Sequence, residues 1–167
     1  MSTPPTLSPA PPAGAPAALS PAALGEVVRG LARRPHRWRP AVRFDAAARF
    51  HTRLEVSGGY EVWLLTWLPG QGTEIHDHGG AAGAFTVVAG ALTERTFPGL
   101  RGDAPRARKL AVGGLRAFGP RHVHEVVNAG AEPAVSLHAY APALSAMSYY
   151  AEVPDGGLRP VRTDPVD

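Results

Sequence analysis

Histidines form two His-x-His pairs, His76 and His78 in IHDHGG and His122 and His124 in RHVHEVVN, and His138 follows shortly after in SLHAY. In a β-strand, residues i and i+2 project from one face, so His76 and His78 can point together into an interior while Asp77 points away. Two imidazoles so placed suit cis ligation of a divalent metal, and a third from another strand would leave coordination positions open for reactants. A His-x-His pair alone also arises on surface strands and among hydrogen-bonded core histidines, so its company has to decide between these readings. The chain has no cysteine, which excludes disulfides, thiolate-ligated zinc, iron–sulfur clusters and cysteine nucleophiles together. Any metal must therefore be held by histidine and carboxylate. Ser136, His138 and Tyr140 stand at i, i+2 and i+4, on one face of a strand. Such a column is either a satisfied core strand or a hydrogen-bonded line able to orient the Tyr140 hydroxyl. His51 and Arg53 also share a face, where Arg53 read by itself is a surface or structural ion pair.

The elements that must position these side chains follow from the hydrophobic pattern. Residues 1–20, MSTPPTLSPAPPAGAPAALS, are uncharged and rich in Pro, Ala and Ser, and are expected to be a disordered tail. Ser20 before Pro21 is a helix start, and Leu24, Val27, Val28 and Leu31 recur at helical spacing as far as the Arg33-Arg34-Pro35 stop. From Phe44 onward, short runs of branched and aromatic residues are broken every eight to twelve positions by Gly or Pro, the pattern of an all-β sandwich or barrel. Strands are expected near 48–56, 60–67, 75–79, 84–89, 92–97, 107–112, 115–118, 124–128, 133–140 and 147–153, with tight turns at Ser57-Gly58-Gly59 and Ala89-Gly90-Ala91. One domain over 21–154 is expected, followed by a C-terminal tail over 155–167 that is loose or wraps the surface.

The spacing of these residues resembles a known pattern. Gly70, His76, His78, Gly83 and Gly90 keep the frame of the first cupin motif, with Gly83 in place of its Glu. Gly113, Gly119, Arg121, His124 and Asn128 keep the frame of the second, with Gly119 and Arg121 in place of its Pro and second Gly. That frame selects His124 as the third ligand. His122, on the same face if the strand has begun there, is then left outside the ligand set or at the surface. From about Phe50 to Leu144 the chain further resembles the cysteine dioxygenases, in the thiol dioxygenase branch of the cupins. The resemblance rests on HTRLEV, TWLPGQGTEIHDH, VVAGALTERTF, VHEVVN and EPAVSLHAYAP in that order.

The resemblance implies a cupin double-stranded β-helix, or jelly-roll barrel, with a short N-terminal helix. It implies one Fe(II) per chain on His76, His78 and His124, with L-cysteine and O2 as substrates and cysteine sulfinic acid as product. Arg53 matches the arginine that binds the substrate carboxylate, a bidentate role suited to a guanidinium. His51 falls where the family often has an assisting Tyr, and Ser136, His138 and Tyr140 match its relay. With Gly83 in place of the Glu, three neutral imidazoles leave the cation its full charge, which favours anionic, chelating substrates such as an aminothiolate. Mammalian members carry a Cys at the position of Gly83, joined to the Tyr as a thioether. A chain without cysteine has no such cofactor, as in many bacterial members. Two rival readings stand beside this one. The first is a dioxygenase of 3-mercaptopropionate or another mercapto acid, whose members usually have Gln where Arg53 stands. The second is a cupin that binds a small ligand, or uses another metal without oxidation.

The formal net charge is +3, and six arginines lie between Arg29 and Arg43, around Trp38. They could contact phosphates and bases, but at so modest an overall charge a solvated helix end and connection is the better account, and no nucleic-acid partner is expected. Neither a membrane span nor a secretory signal is evident, and a cytoplasmic monomer is expected.

Overall fold

The computed structural model describes residues 18–99, 104–154 and 156–166, so most of the tail expected over 1–20 lies outside the described residues. Helix α1 spans Pro21–Ala32. The Ser20 side chain accepts from the Ala23 N–H at 3.2 Å, and Pro21, which has no N–H to leave unpaired, occupies the first turn. Leu24 and Val28 are fully buried against Val62, Ala84 and Ala139. Alanines on the sheet let the helix approach closely, and each buried aliphatic side chain contributes about 1.5–3 kcal/mol.

Beyond two single-turn 3-10 helices at Pro35–Arg37 and Arg39–Ala41, the remainder is all β, as the sequence leads one to expect. The strands are β1 (His51–Ser57), β2 (Tyr60–Trp67), β3 (Ile75–His76), β4 (Ala82–Ala89), β5 (Ala91–Phe97) and β6 (Arg106–Ala111). They continue with β7 (Leu115–Phe118), β8 (Val123–Val127), β9 (Ala134–Ala141), β10 (Ala146–Glu152) and β11 (Leu158–Pro165). They form two antiparallel sheets, a five-stranded one in the order β1-β2-β9-β4-β7 and a six-stranded one in the order β11-β10-β3-β8-β5-β6. Strand β9 is buried along its whole length, with Leu137 and Ala139 facing the helix side while His138 and Tyr140 face between the sheets. Trp67, Phe85, Leu92, Phe118 and Val126 fill the interior around Tyr140.

Both expected turns form. Gly58 and Gly59 are the two loop residues between Ser57 and its partner Tyr60. Gly90 has φ +68°, and a Cβ there would lie 2.5 Å from the Pro133 carbonyl oxygen, so only glycine fits.

Two expectations need correction. The C-terminal tail is not loose over 158–165: β11 pairs with β10 from Glu152↔Leu158 to Ala146↔Pro165. Its prolines are tolerated because β11 is an edge strand and Pro160 adjoins a register shift opposite Tyr149 and Tyr150. The strand expected over 75–79 is confined to Ile75–His76, and Asp77 begins a turn through Gly79 and Gly80, at φ +59° and +88°. Asp77 does point away from the interior, accepting from the Tyr150 hydroxyl at 2.6 Å and the Gly79 N–H at 2.9 Å. No helix among the described residues is long and apolar enough to cross a membrane.

Candidate metal centre and its cavity

Strand pairing sets His76 opposite His124 across β3 and β8, and the turn at Asp77 returns His78 to the same place. The ring centroids form a triangle with sides of 4.7 Å (His76–His124), 4.9 Å (His76–His78) and 5.0 Å (His78–His124). One nitrogen from each ring lies within 4.8 Å of the others. All three are buried, and each is in a form that can ligate. His76 Nδ1 donates to the Glu74 carbonyl at 2.8 Å, which leaves its Nε2 lone pair free. His124 Nδ1 donates to the Glu94 carboxylate at 2.9 Å, with the same result. His78 has no hydrogen-bond partner on either ring nitrogen, although both are buried.

Burial, with His124 beside it, pushes His76 down to about 3. Burial and then the neighbouring imidazoles hold His78 well below its ordinary range, and burial lowers His124 against the pull of Glu94. All three are neutral near pH 7. Three convergent lone pairs with one ring wholly unpartnered suit a divalent cation, since leaving a buried polar group unpaired is otherwise costly. The donor set therefore fits a metal.

Glu94 is the carboxylate of this centre, and sequence reasoning passed it over. It is fully buried on β5, and besides His124 it holds Arg116 and the His122 Nε2, the latter at 3.1 Å. Burial alone would raise its pKa, but the hydrogen bonds from His122 and His124, with Arg116 alongside, outweigh that and keep it ionised. Glu94, His122 and His124 also lie close enough to group around a cation. The carboxylate is already matched by Arg116, however, so the trio reads as a support for His124. His122, stacked on Phe118 at 4.3 Å, stands behind the ligands.

On β9 the expected column is assembled. The Trp67 indole N–H donates to Ser136 Oγ at 2.9 Å, Ser136 Oγ lies 2.8 Å from His138 Nε2, and His138 Nδ1 lies 3.3 Å from the Tyr140 hydroxyl. Indole can only donate, which leaves the Ser136 proton for His138 Nε2. Nδ1 then carries the imidazole hydrogen and donates to the Tyr140 oxygen, freeing the phenolic proton to point elsewhere. Burial, with Arg49 next in effect, keeps His138 well below its ordinary value, and burial raises Tyr140 well above its own. Both are neutral. The Tyr140 ring also stacks on His78 at 5.0 Å, which places the column beside the imidazole triangle.

A cavity of about 520 Å³ joins these groups, with His76, His124, His138 and Tyr140 in its wall. His51 lines it as well. Arg53 is not among the lining residues. Its Nη1 bonds to fully buried Glu61 at 3.2 Å, its guanidinium stacks on Trp63 at 5.2 Å, and its side chain is 42% exposed. The cavity's arginine is Arg49, whose guanidinium lies 4.7 Å from the Trp67 ring and whose buried Nη1 has no hydrogen-bond partner. A signal existed, since 49, 51 and 53 have one parity on an extended chain. Which end of that face meets the cavity is a tertiary matter.

The cysteine dioxygenase type I family model matches residues 23–153. A cysteine dioxygenase type 1 from Danio rerio is 31% identical over 118 residues, which are 65% of this chain and 58% of that protein, so the match spans less than two thirds of that relative's length. Among solved structures, a conserved protein with a double-stranded β-helix domain from Klebsiella pneumoniae gives a TM-score of 0.55 at 19% identity, covering 74% of this chain and 93% of that one. A cupin superfamily protein from Desulfitobacterium hafniense gives 0.52 at 10% identity, covering 63% and 87%. At such identities these two structures speak to fold alone.

Proposed function

The chain belongs to the cysteine dioxygenase type I family, and on that footing we propose that it is a thiol dioxygenase that uses one Fe(II) per chain to oxidise L-cysteine to cysteine sulfinic acid. The carrying observation is that one cavity is lined both by His76 and His124 of the imidazole triangle and by His138 and Tyr140 of the β9 column. Iron in that triangle would supply coordination positions for a thiolate and for O2, and the electrons that activate O2. Both atoms of O2 end on the sulfur, so no separate reductant is consumed.

The chain's own residues have distinct tasks in this reading. Glu74 and Glu94 hold His76 and His124 in the tautomer that turns Nε2 inward. Trp67, Ser136 and His138 hold the Tyr140 hydroxyl with its proton available to an oxygen atom or a substrate group in the cavity. Trp63, Leu65, Leu144 and Met147 give the cavity an apolar wall beside the reacting atoms.

Oxidation of 3-mercaptopropionate or a related mercapto acid is the second reading. It is favoured by one observation: Arg53, the residue that would distinguish cysteine, is engaged with Glu61. Anaerobic loading with Fe(II), then exposure to isotopically labelled O2 with a panel of thiols, tests both by mass spectrometry. L-Cysteine should yield a sulfinate carrying two labelled oxygens, at a rate above that of 3-mercaptopropionate. Faster oxidation of the mercapto acid would select the second reading, and oxygen uptake with no thiol would reject both.

A further inference from the structure

Resting on the thiol dioxygenase reading, we propose that the outer part of the cavity is a subsite for an apolar substituent on the thiol, with the Tyr149 ring as its main wall, so that the substrate class extends to thiols bulkier than L-cysteine. The cavity of about 520 Å³ falls within the roughly 300–1,000 Å³ of pockets that enclose drug-sized ligands, and a three-carbon thiol bound at the imidazole triangle fills only its inner part.

Strand register shows where the outer part lies. Arg162 on β11 pairs with Tyr149 on β10, Tyr149 with His76 on β3, and His76 with His124 on β8. Direct cross-strand neighbours project from one face, so these four side chains form a row. His124 and His76 are its buried end, Tyr149 is half-buried, and Arg162 is the exposed end. The Tyr149 ring lies 6.3 Å from that of His76, one step outward from the metal ligands. Met147, two residues before Tyr149 and on the same face of β10, also lines the cavity, as do Pro165 and Val166 at the end of β11. Strand β11 lies beyond residues 23–153 that the family model matches, so part of this wall comes from outside the matched segment.

The wall is also set before any ligand arrives. The Arg162 guanidinium stands 4.0 Å from the Tyr149 ring centroid and is itself held by Glu74 and, at 2.8 Å, by Asp164. The Val166 N–H donates to the Ser145 carbonyl at 3.1 Å. An apolar surface fixed in this way receives a hydrophobic group without an ordering cost of its own.

The test compares two ligands that share the thiol and carboxylate and differ in one aryl group. Under anaerobic conditions the Fe(II)-loaded full chain is titrated calorimetrically with 3-mercaptopropionate and with 2-benzyl-3-mercaptopropionate. The wild type should bind the benzyl acid about 10–100-fold more tightly, the range expected for burying one phenyl group. Tyr149→Phe should keep that preference, and Tyr149→Ser should bring the two affinities close to parity. Should Tyr149→Ser fail to fold, Val166→Ser should lower the preference by itself. Equal affinities in the wild type, or a preference undiminished in both serine variants, would overturn the assignment. Oxidation of L-cysteine beside equal affinities would keep the activity and remove the subsite, whereas a Tyr149-dependent preference in a protein that oxidises no thiol would do the reverse.

Discussion

His78 illustrates how a single residue can be costly without its ligand. Its two nitrogens are buried and unpartnered, whereas His76 and His124 are each fixed by an acceptor. The acceptor on His124 also sets how firmly the centre holds its ion. Glu94→Gln can still accept from His124 through its amide oxygen but cannot balance Arg116, and the loss of charge behind the imidazole should weaken metal binding about 10–100-fold. Competition with a chromogenic chelator measures this, and an unchanged affinity would show that Glu94 serves packing alone. The two arginines should differ in sign. Arg53→Gln leaves the Glu61 charge buried with one donor fewer and should cost about 1–3 kcal/mol, discounted because Arg53 is partly exposed. Arg49→Met should raise the melting temperature of the metal-free protein, because an apolar side chain on Trp67 replaces an unpaired charge. Calorimetric melting curves test both. The β9 column was legible because strand alternation places it, and His76, His78 and His124 because their spacing keeps a known frame, although a turn and not the strand brings His78 round to the other two. Glu94 was not, since in LTERTF it resembles a solvent-facing charge beside Arg95, and only the burial of Leu92 and Glu94 together reveals which face is inward.

Among the elements, β4 carries the tightest constraint. Gly83 is cross-strand neighbour to Phe118 on β7 and to Tyr140 on β9. A Cβ at 83 would lie 2.6 Å from the Phe118 ring and 3.0 Å from Tyr140, so Phe118 fills the space that a side chain at 83 would need. Phe118 in turn stacks against His78 at 5.0 Å. Gly83→Ala should therefore destabilise the fold by about 1–3 kcal/mol through overpacking and displace His78. Adding Phe118→Leu should restore much of the loss. Urea unfolding of the single and double variants tests the coupling, and additive effects would refute it. The fold's first ten strands followed from alternation and turn residues. The eleventh escaped because Pro160 and Pro165 are breakers in any central strand, and only its place at the sheet edge makes them acceptable.

For the molecule as a whole, metal binding and folding are one equilibrium, because the three imidazoles converge only once β3, β8 and the turn after His76 are assembled. Metal at a thousandfold excess over its Kd should add about 4 kcal/mol. For a chain of this size that raises the melting temperature by on the order of 10 °C. Differential scanning calorimetry of metal-free and Fe(II)-loaded protein reads this directly, and a shift absent in the wild type, or retained in His124→Ala, would remove the centre from its assigned place. Edge strand β6 presents exposed Arg106, Arg108 and Lys109, a charge pattern that opposes edge-to-edge pairing with a second strand.

An all-imidazole cradle has little means of choosing among borderline cations. Nitrogen donors bind Ni(II) and Cu(II) more tightly than Fe(II), and no carboxylate oxygen among the three shifts the preference back toward iron. Which ion fills the pocket is thus a matter of supply during expression and handling, and protein eluted from a nickel resin is expected to come off mis-metallated and inert until it is stripped and reconstituted.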